Sequence, residues 1–326
     1  MENTQTQIPE SKNPFPFSNL FLIKGYATGK NDIGYYLLCI ASAMLGYLMF
    51  QTILVYPLIS AATSNGISME AILKDPNILF NPDAIGINRS LLLALMMGMF
   101  VFTLLFFALA LKYFQKKPLS SVITGFEKIR WKRYFFSFSI WGTLIVILTV
   151  ASYLISPNEI ELKFDFPKFI ILFLVSVIFI PIQTATEEIL FRGYLMQGFG
   201  QIFKNGIVPL IITSLIFGLM HGTNPEVKTH GILIMMPYYI LFGAFLGILT
   251  LLDEGSELAM GIHCANNLVS ALLICSKSSV LQTDSIFYTT IENPGAEFLS
   301  WIVMAIICFF ILFKKYKLSN WKLIIR

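Results

Sequence analysis

Eight long apolar stretches, separated by short polar segments, run along the 326-residue chain. They lie near 33–60, 90–113, 134–156, 168–197, 207–222, 231–252, 257–276 and 297–313. Each stretch is continuously apolar and does not alternate between two faces, which is typical of a transmembrane helix and not of a barrel strand. Because a helix needs about 20 mostly apolar residues to cross a bilayer, we expect an all-α fold, a polytopic membrane helix bundle of about eight transmembrane helices.

Composition supports a chain solvated by lipid. Hydrophobic residues make up 56% and charged residues 13% of the sequence, and the mean hydropathy is +0.72. That is too little polar surface for a soluble globule of this size. Phosphate-binding loops, nucleic-acid motifs and internal repeats are also absent from the sequence. We therefore expect the lipid bilayer as a partner and no nucleic acid, and a nucleotide-driven machine is disfavoured.

The sequence indicates neither reactive cysteines nor a cleaved signal peptide. Cys39, Cys264, Cys275 and Cys308 all lie in or beside apolar stretches with no CxxC spacing, so we interpret them as buried small hydrophobic residues. The first 30 or so residues lack a long apolar core followed by a small-residue cleavage site. A cleaved signal peptide is therefore not expected.

Basic residues predict the orientation in the membrane. They concentrate between the second and third apolar stretches and after the eighth, which places both segments in the cytoplasm. An even number of crossings places the N-terminus, with Lys12, Lys24 and Lys30, on the same side. We expect a multi-pass integral membrane protein with both termini cytoplasmic, in the plasma (inner) membrane if the source is a bacterium. Contact of these charges with anionic lipid or a partner is the alternative interpretation.

Ionisable side chains inside the apolar stretches are the candidate functional residues. Each costs about 2.5–3.5 kcal/mol at the centre of a bilayer, so its retention calls for an explanation. They form three groups with their helix neighbours: Glu187, Glu188 and Arg192 in the fourth stretch, Phe217 and His221 in the fifth, and His263 and Asn267 in the seventh.

The spacing within the fourth stretch separates its two acids. Glu188 and Arg192 are four residues apart with the acid first, the better orientation for an ion pair on one helix face. Glu187 is rotated by about 100° from Glu188 and cannot face the same arginine equally well. The pattern predicts one neutralised carboxylate and one free carboxylate.

The three groups together suit hydrolysis of an amide. Glu187 is placed to take a proton from water, His221 to hold that water, and His263 with Asn267 to donate hydrogen bonds to the developing oxyanion. The alternative is structural: Glu188 and Arg192 lock helices together, and the histidines bond between helices. One group alone favours the structural interpretation. Three groups in an otherwise apolar bundle favour the catalytic one.

These motifs also resemble those of a known family. EExxxR at Glu187, Glu188 and Arg192, FxxxH at Phe217 and His221, and HxxxN at His263 and Asn267 follow one another in the order of the CPBP family. That family comprises the type 2 CAAX prenyl endopeptidases, often called the Abi or Rce1-like group, and bacterial relatives linked to bacteriocin immunity. The resemblance covers about residues 168–276.

The resemblance implies an intramembrane endopeptidase with an active site open toward the cytoplasm. Glu187 and His221 would activate the catalytic water, and His263 and Asn267 would stabilise the oxyanion. Glu188 and Arg192, with Phe217, would be supporting residues.

The organisation that follows has four parts. A cytoplasmic N-terminal segment covers 1–32, and three helices with a basic cytoplasmic loop cover 33–166. The catalytic core of four helices covers 167–276, and the last helix with a basic cytoplasmic tail covers 277–326. The substrate is expected to be a peptide or protein, prenylated or membrane-associated, and the sequence does not decide whether it carries a prenyl group.

The role of metal stays open in the sequence. Members of the family are described both as metalloproteases and as metal-free glutamate proteases. No cofactor is expected, because the HExxH motif is absent and Arg192 would repel a cation. Zinc is the alternative, with Glu187, His221 and His263 as its ligands.

Two other functions compete with hydrolysis. A bundle that binds a peptide without cutting it, such as a bacteriocin-immunity protein, has the same sequence features. A proton-coupled transporter predicts internal repeats and paired broken helices, and neither is present in the sequence.

Asp253, Glu254 and Glu257 follow the sixth stretch, and we expect them in a solvated loop.

Overall fold

The computed structural model describes residues 18–325, and expectations about residues 1–17, including Lys12 and the signal peptide, lie outside this range. Its helices are α1 (Leu20–Ala27), α2 (Ile33–Ser64), α3 (Met69–Lys74), α4 (Pro82–Ile85), α5 (Arg89–Tyr113), α6 (Trp131–Ile155), α7 (Phe166–Glu188), α8 (Met196–Phe203), α9 (Ile207–Met220), α10 (Pro225–His230), α11 (Ile232–Leu252), α12 (Glu257–Leu273), α13 (Pro294–Tyr316) and α14 (Lys322–Ile325). Short 3-10 turns at Pro76–Phe80 and Leu119–Val122 and a π-helical segment at Ile189–Leu195 complete the helical structure.

The prediction of a polytopic helical membrane bundle is confirmed. Within residues 18–325, six helical segments are long and apolar enough to cross a membrane, and α7, the π segment and α8 form one of them. The remaining two predicted crossings correspond to α9, with 14 residues, and α12, with 17 residues. At 1.5 Å per residue, α9 extends about 21 Å. It is therefore shorter than the hydrocarbon core of a bilayer, which is about 30 Å thick.

One end of the bundle, here called the termini end, gathers both ends of the described chain. The side-chain amide of Asn19 donates to the carbonyls of Leu251 and Leu323 at 2.8 and 3.2 Å. Gly206 donates its backbone N–H to Ile324 at 3.0 Å, and Gly125 donates to Glu254 at 2.9 Å. The segments before α2, between α5 and α6, between α8 and α9, and between α11 and α12 all meet here.

The opposite end, here called the sheet end, carries the other connections. Strands β1 (Ile160–Leu162), β2 (Ile274–Ser276) and β3 (Phe287–Thr289) form a sheet in the order β1-β3-β2, with β1 antiparallel and β2 parallel to β3. This small sheet is an addition to the expected all-α bundle, and its strand β2 directly follows α12, which ends at Leu273. His230, the last residue of α10, contacts Glu292 at 2.9 Å at this end. The described chain therefore passes between the two ends eight times.

The fifth pass has the break that its short helix requires. Residues 221–224 form a turn after α9, and α10 completes the pass before α11 returns. This turn and α10 lengthen the pass beyond the 14 residues of α9. Asn224 ends the turn and precedes the proline that begins α10, a position where proline loses no helical hydrogen bond.

Glycines bring the long helices close together. A Cβ at Gly46 of α2 would lie 2.6 Å from the Phe102 carbonyl oxygen of α5. A Cβ at Gly261 of α12 would lie 2.2 Å from both the Ser137 hydroxyl and the Tyr134 carbonyl oxygen of α6. Because small residues permit close backbone approach between membrane helices, these glycines set the α2–α5 and α6–α12 contacts. The second contact positions α6 beside the candidate site.

The three acids after α11 were predicted to be solvated, and that prediction is wrong. Asp253, Glu254 and Glu257 are 4%, 5% and 1% exposed. Arg130 forms salt bridges of 2.9 Å to Asp253 and 2.7 Å to Glu257, and Arg133 also pairs with Asp253. The basic loop between α5 and α6 folds back over the end of α11, so its arginines pair with Asp253 and Glu257 and offset the cost of their burial. Glu254 instead accepts a hydrogen bond from the Leu20 backbone N–H at 2.7 Å.

Residues 18–32, before α2, include a short buried helix. Helix α1 begins at an N-cap, Asn19, and buries Phe21 and Leu22 completely. Lys117 was predicted to be one of the membrane-orienting charges, but it is 2% exposed and donates to the Gly25 carbonyl at 2.7 Å. Burial lowers the pKa of Lys117 to about 8. Its ammonium therefore ties the α5–α6 connection to the end of α1.

The expectation for the cysteines is confirmed. Cys39, Cys264, Cys275 and Cys308 are all free thiols, and all four are buried. They act as small apolar residues in the packing of the bundle.

The first prediction concerns orientation. Reporters fused after Lys117 and after Arg326 should both report the cytoplasm, because basic segments are retained there and because Lys117 and α14 lie at the same end of the bundle. A reporter inserted after Gly66, between α2 and α3, should report the opposite side.

The measurement is paired alkaline phosphatase and green fluorescent protein activity for each fusion in a bacterial host. The insertion after Gly66 is the internal control, since it lies toward the sheet end. A lumenal or periplasmic signal at Lys117 or Arg326 would contradict the orientation, and equal signals at all three sites would contradict the eight passes.

Candidate active site

The carboxylate of Glu188 is the centre of the polar groups inside the bundle. Its Oε1 accepts a hydrogen bond from Arg192 Nη1 at 2.7 Å and another from His263 Nδ1 at 2.7 Å. Glu188 and Arg192 are both 0% exposed, and His263 is 3% exposed. The ion pair expected from the four-residue spacing is therefore present, and it also joins α7 to α12.

Arg192 is held by an aromatic ring as well as by Glu188. Its guanidinium carbon lies 4.0 Å from the centre of the Phe217 ring of α9, which is close enough for a cation–π interaction. A Cβ at Gly243 of α11 would lie 3.2 Å from Arg192 Nη2, so the absence of a side chain there leaves room for the arginine. Phe217 therefore has a definite supporting contact, with the charge that neutralises Glu188.

Glu187 has a different environment from its neighbour. Its Oε1 accepts a hydrogen bond from Gln183 Nε2 at 2.6 Å. Its Oε2 is buried without a hydrogen-bond partner among residues 18–325 and lies 3.6 Å from His263 Nε2. That separation is too long for a direct hydrogen bond. One oxygen of Glu187 is thus held by the protein, and the other faces the second nitrogen of the His263 ring.

His221 lies at the end of α9, in the turn that breaks the fifth pass. Its Nδ1 is 2.7 Å from the Phe217 carbonyl oxygen. A carbonyl oxygen only accepts, so the proton of the neutral ring is on Nδ1 and Nε2 carries a lone pair. The ring stacks on Tyr239 at 4.4 Å and contacts Phe217 at 4.5 Å between centroids. The two aromatic rings fix the plane of the imidazole.

Asn267 connects the α12 histidine to the α7 acids. Its Nδ2 donates to Gln183 Oε1 at 3.0 Å and lies 3.5 Å from His263 Nε2. His263 and Asn267 are four residues apart, so they share the face of α12 that is directed at α7. The structure therefore brings Asn267 beside the gap between His263 and Glu187.

The helix changes its winding directly after the two acids. Residues Ile189–Leu195 form a π-helical segment between α7 and α8. Segments of this kind are rare and often occur at functional sites. A Cβ at Gly193 within it would lie 2.2 Å from the Val122 carbonyl oxygen, so the segment packs against the buried 3-10 turn of the α5–α6 connection. The sequence pattern gave no indication of this segment.

The structure brings the seven predicted residues into one region and adds others. Direct hydrogen bonds or close polar approaches link Glu187, Glu188, Arg192, His263 and Asn267, and aromatic contacts attach Phe217 and His221 to that group. Gln183 was missed, although it lies four residues before Glu187 and therefore on the same helix face. A polar residue at that spacing in an apolar helix was the available signal.

The expected zinc ligands are not arranged as a metal-binding group. Across residues 18–325, no three or more His, Cys, Asp and Glu side chains are grouped to hold a metal ion. Glu187, His221 and His263 do not form such a group, so their arrangement does not fit a metal centre.

The chain is similar to proteins of a known family. Residues 166–269 match the family model described as "Type II CAAX prenyl endopeptidase Rce1-like", which spans α7 to α12 and all three motifs. A protein of Bacillus subtilis (strain 168), "Uncharacterized protein YyaK", is 31% identical over 229 residues, 69% of this chain and 76% of the relative. No solved structure matches the chain significantly. By its motifs, the family match and this relative, the chain belongs to the Rce1-like type II CAAX prenyl endopeptidases of the CPBP family.

Proposed function

We propose that the protein is an intramembrane endopeptidase that hydrolyses a peptide bond with water activated by Glu187 and His221. The observation that carries the proposal is the difference between two adjacent acids. Glu188 is paired with Arg192 and bonded to His263 through Oε1, and its side chain is 0% exposed. Glu187 has no arginine partner among residues 18–325, its side chain is 13% exposed, and its unbonded Oε2 faces His263 Nε2. A network of ion pairs that only holds helices together would not require Glu187 beside Glu188.

The first step activates water. The water lies between Glu187 Oε2 and His221 Nε2, both of which accept hydrogen bonds. Glu187 Oε2 takes one proton as the oxygen attacks the carbonyl carbon of the scissile bond, so a tetrahedral oxyanion forms. The Phe217 ring contacts both imidazoles, that of His221 at 4.5 Å and that of His263 at 6.0 Å between centroids, which supports a site shared by the two histidines.

The second step stabilises the oxyanion and expels the amine. Asn267 Nδ2 has two hydrogens, and one of them remains for the oxyanion after the bond to Gln183 is made. His263 donates from Nε2 only as the imidazolium, and the carboxylate of Glu188, 2.7 Å from Nδ1, stabilises that charge while Glu187 holds the proton of the water. The proton on Glu187 then passes to the leaving nitrogen as the C–N bond breaks.

The proposed substrate is a membrane-associated peptide or protein cut near its C-terminus, as the family description suggests. The proposed location is the cytoplasmic side of the membrane, the plasma membrane in a bacterium. His263 lies six residues from the start of α12 at the termini end, or about 9 Å along the helix. This short distance supports an approach of the substrate from the side that the basic loops place in the cytoplasm.

The second prediction tests water activation. Glu187→Gln keeps the acceptor for Gln183 but removes the base, and His221→Ala removes the second acceptor for water. Each should lower turnover about 10²–10⁴-fold, the usual contribution of a general base. Thermal unfolding should stay close to wild type, because neither change leaves a buried charge without a partner.

The assay follows cleavage of a farnesylated CAAX-type peptide and of a membrane extract by mass spectrometry, with purified full-length protein. His230→Ala is the matched control, since His230 pairs with Glu292 at the sheet end, and it should cut at the wild-type rate. Full cleavage by folded Glu187→Gln would contradict the role of Glu187. Peptide binding without cleavage by the wild type would indicate a binding protein.

The third prediction separates the structural acid from the catalytic one. Arg192→Met leaves the buried Glu188 carboxylate without its cation, and breaking buried pairs generally costs about 3–5 kcal/mol. The variant should show a lower melting temperature and a poor folded yield. The double variant Glu188→Gln/Arg192→Met removes both charges and should regain much of that stability.

Thermal unfolding in detergent measures both effects. Arg192→Lys serves as the conservative comparison, because it keeps the charge but loses the flat stacking on Phe217. A melting temperature equal to wild type for Arg192→Met would show that the ion pair does not hold the bundle together.

The fourth prediction concerns metal. Because the described histidines and acids form no metal-binding group, cleavage should survive dialysis against EDTA and 1,10-phenanthroline at unchanged rate. Elemental analysis of the dialysed protein accompanies the assay. Loss of cleavage on chelation, restored by added zinc with one equivalent bound, would contradict the water-activation mechanism proposed above.

A further inference from the structure

Three side chains outside the expected catalytic set, together with Asn267, form one continuous series of hydrogen bonds that ends on Glu187. Trp141 Nε1 donates to Asn266 Oδ1 at 3.2 Å, and Asn266 Nδ2 donates to Asn267 Oδ1 at 3.2 Å. Asn267 Nδ2 then donates to Gln183 Oε1 at 3.0 Å, and Gln183 Nε2 donates to Glu187 Oε1 at 2.6 Å. The chain runs from α6 through α12 to α7.

The first member of the chain determines its direction. An indole N–H only donates, so Asn266 has to present its oxygen to Trp141 and its amide nitrogen to Asn267. The same constraint passes to Asn267 and then to Gln183, because turning any one amide over would place two acceptors or two donors against each other. All three amides are therefore fixed in orientation, and Gln183 has to present an N–H to Glu187.

That direction has a consequence for proton transfer. Glu187 Oε1 receives the Gln183 N–H whether the carboxyl group is ionised or protonated, so Oε1 is not the oxygen that accepts a proton. We propose that Trp141, Asn266, Asn267 and Gln183 are positioning residues that make Oε2 the proton-accepting oxygen of Glu187. When water attacks, one water O–H bond breaks, the proton binds Oε2, and the hydroxide electron pair forms the bond to the carbonyl carbon. This inference rests on the proposed hydrolytic function.

The packing of α6 supports the assignment. Trp141 is 0% exposed and lies outside the residues that match the family model. Its indole packs on Phe242 and Phe245 of α11, at 6.4 and 5.8 Å between ring centroids. The glycine at 261 allows α6 to approach α12 closely enough for the bond to Asn266. A helix of the N-terminal part thus acts on the catalytic carboxylate through three amides.

A matched pair of tryptophans tests the proposal. Trp301 packs on the same two phenylalanines and is 8% exposed, but its Nε1 has no hydrogen-bond partner within residues 18–325. Trp141→Phe should lower kcat about fivefold to tenfold, as expected for losing one hydrogen bond in a coupled chain, with KM unchanged. Trp301→Phe should leave both constants unchanged. Equal effects of the two changes on kcat would overturn the proposal.

The second measurement is the coupling between substitutions of Trp141 and of Gln183. Gln183→Leu should lower kcat on the order of 10- to 10²-fold. If Trp141 acts through Gln183, adding Trp141→Phe to Gln183→Leu should lower kcat no further. Asn266→Asp offers an acceptor to Asn267, should reverse the amides, and should lower kcat more than Trp141→Phe does. Additive effects of Trp141→Phe and Gln183→Leu would overturn the proposal.

A spectroscopic measurement separates this inference from the proposed function, because it requires no turnover. In ¹⁵N-labelled full-length protein, Gln183→Leu should shift the indole N–H signal of Trp141 and leave that of Trp301 in place. An unmoved Trp141 signal would overturn the proposed series of hydrogen bonds between Trp141 and Glu187, even if Glu187→Gln abolishes cleavage. Full cleavage by Glu187→Gln would overturn the proposed function and with it the role of Oε2.

Discussion

The buried carboxylate of Glu188 is the interaction on which the arrangement of the site depends. It accepts from Arg192 one turn later on its own helical segment and from His263 on α12, both at 2.7 Å. Arg192 in turn lies on the Phe217 ring of α9. Because a charge inside a bilayer is expensive unless it is paired, packing that brings Arg192 and His263 to Glu188 lowers the cost of burying this acid. The position of His263 follows from that packing.

The same constraint gives the two neighbouring acids different properties. Successive residues on a helix point about 100° apart, so satisfying Glu188 turns Glu187 toward Gln183 and the far side of the His263 ring. His263 therefore lies between two carboxylates, one bonded and one not. A single imidazole separates the acid that stabilises the fold from the acid proposed to act on water.

Patterns over a few neighbouring residues predicted the features that depend on neighbouring residues, such as helices and ion pairs along one helix. Continuous apolar stretches predicted the passes, and four-residue spacing predicted the pairing of Glu188 with Arg192. Features that depend on distant partners were not predictable in this way. Asp253 is buried because Arg130, more than a hundred residues earlier, pairs with it. The chain from Trp141 to Glu187 joins residues of three helices, and neutral amides in an apolar helix carry no charge signal.

The helices that hold the site differ in how their positions are fixed. At its first residue, Glu257, α12 is tied to Arg130 by a salt bridge of 2.7 Å, and two turns later His263 is tied to Glu188. His221, in contrast, bonds to the carbonyl of its own helix and is otherwise held by ring contacts. Directional ionic bonds resist small displacements more strongly than aromatic contacts of similar area. Glu188 and His263 therefore form the fixed part of the site, and the position of His221 depends on how the turn after α9 packs against Tyr239.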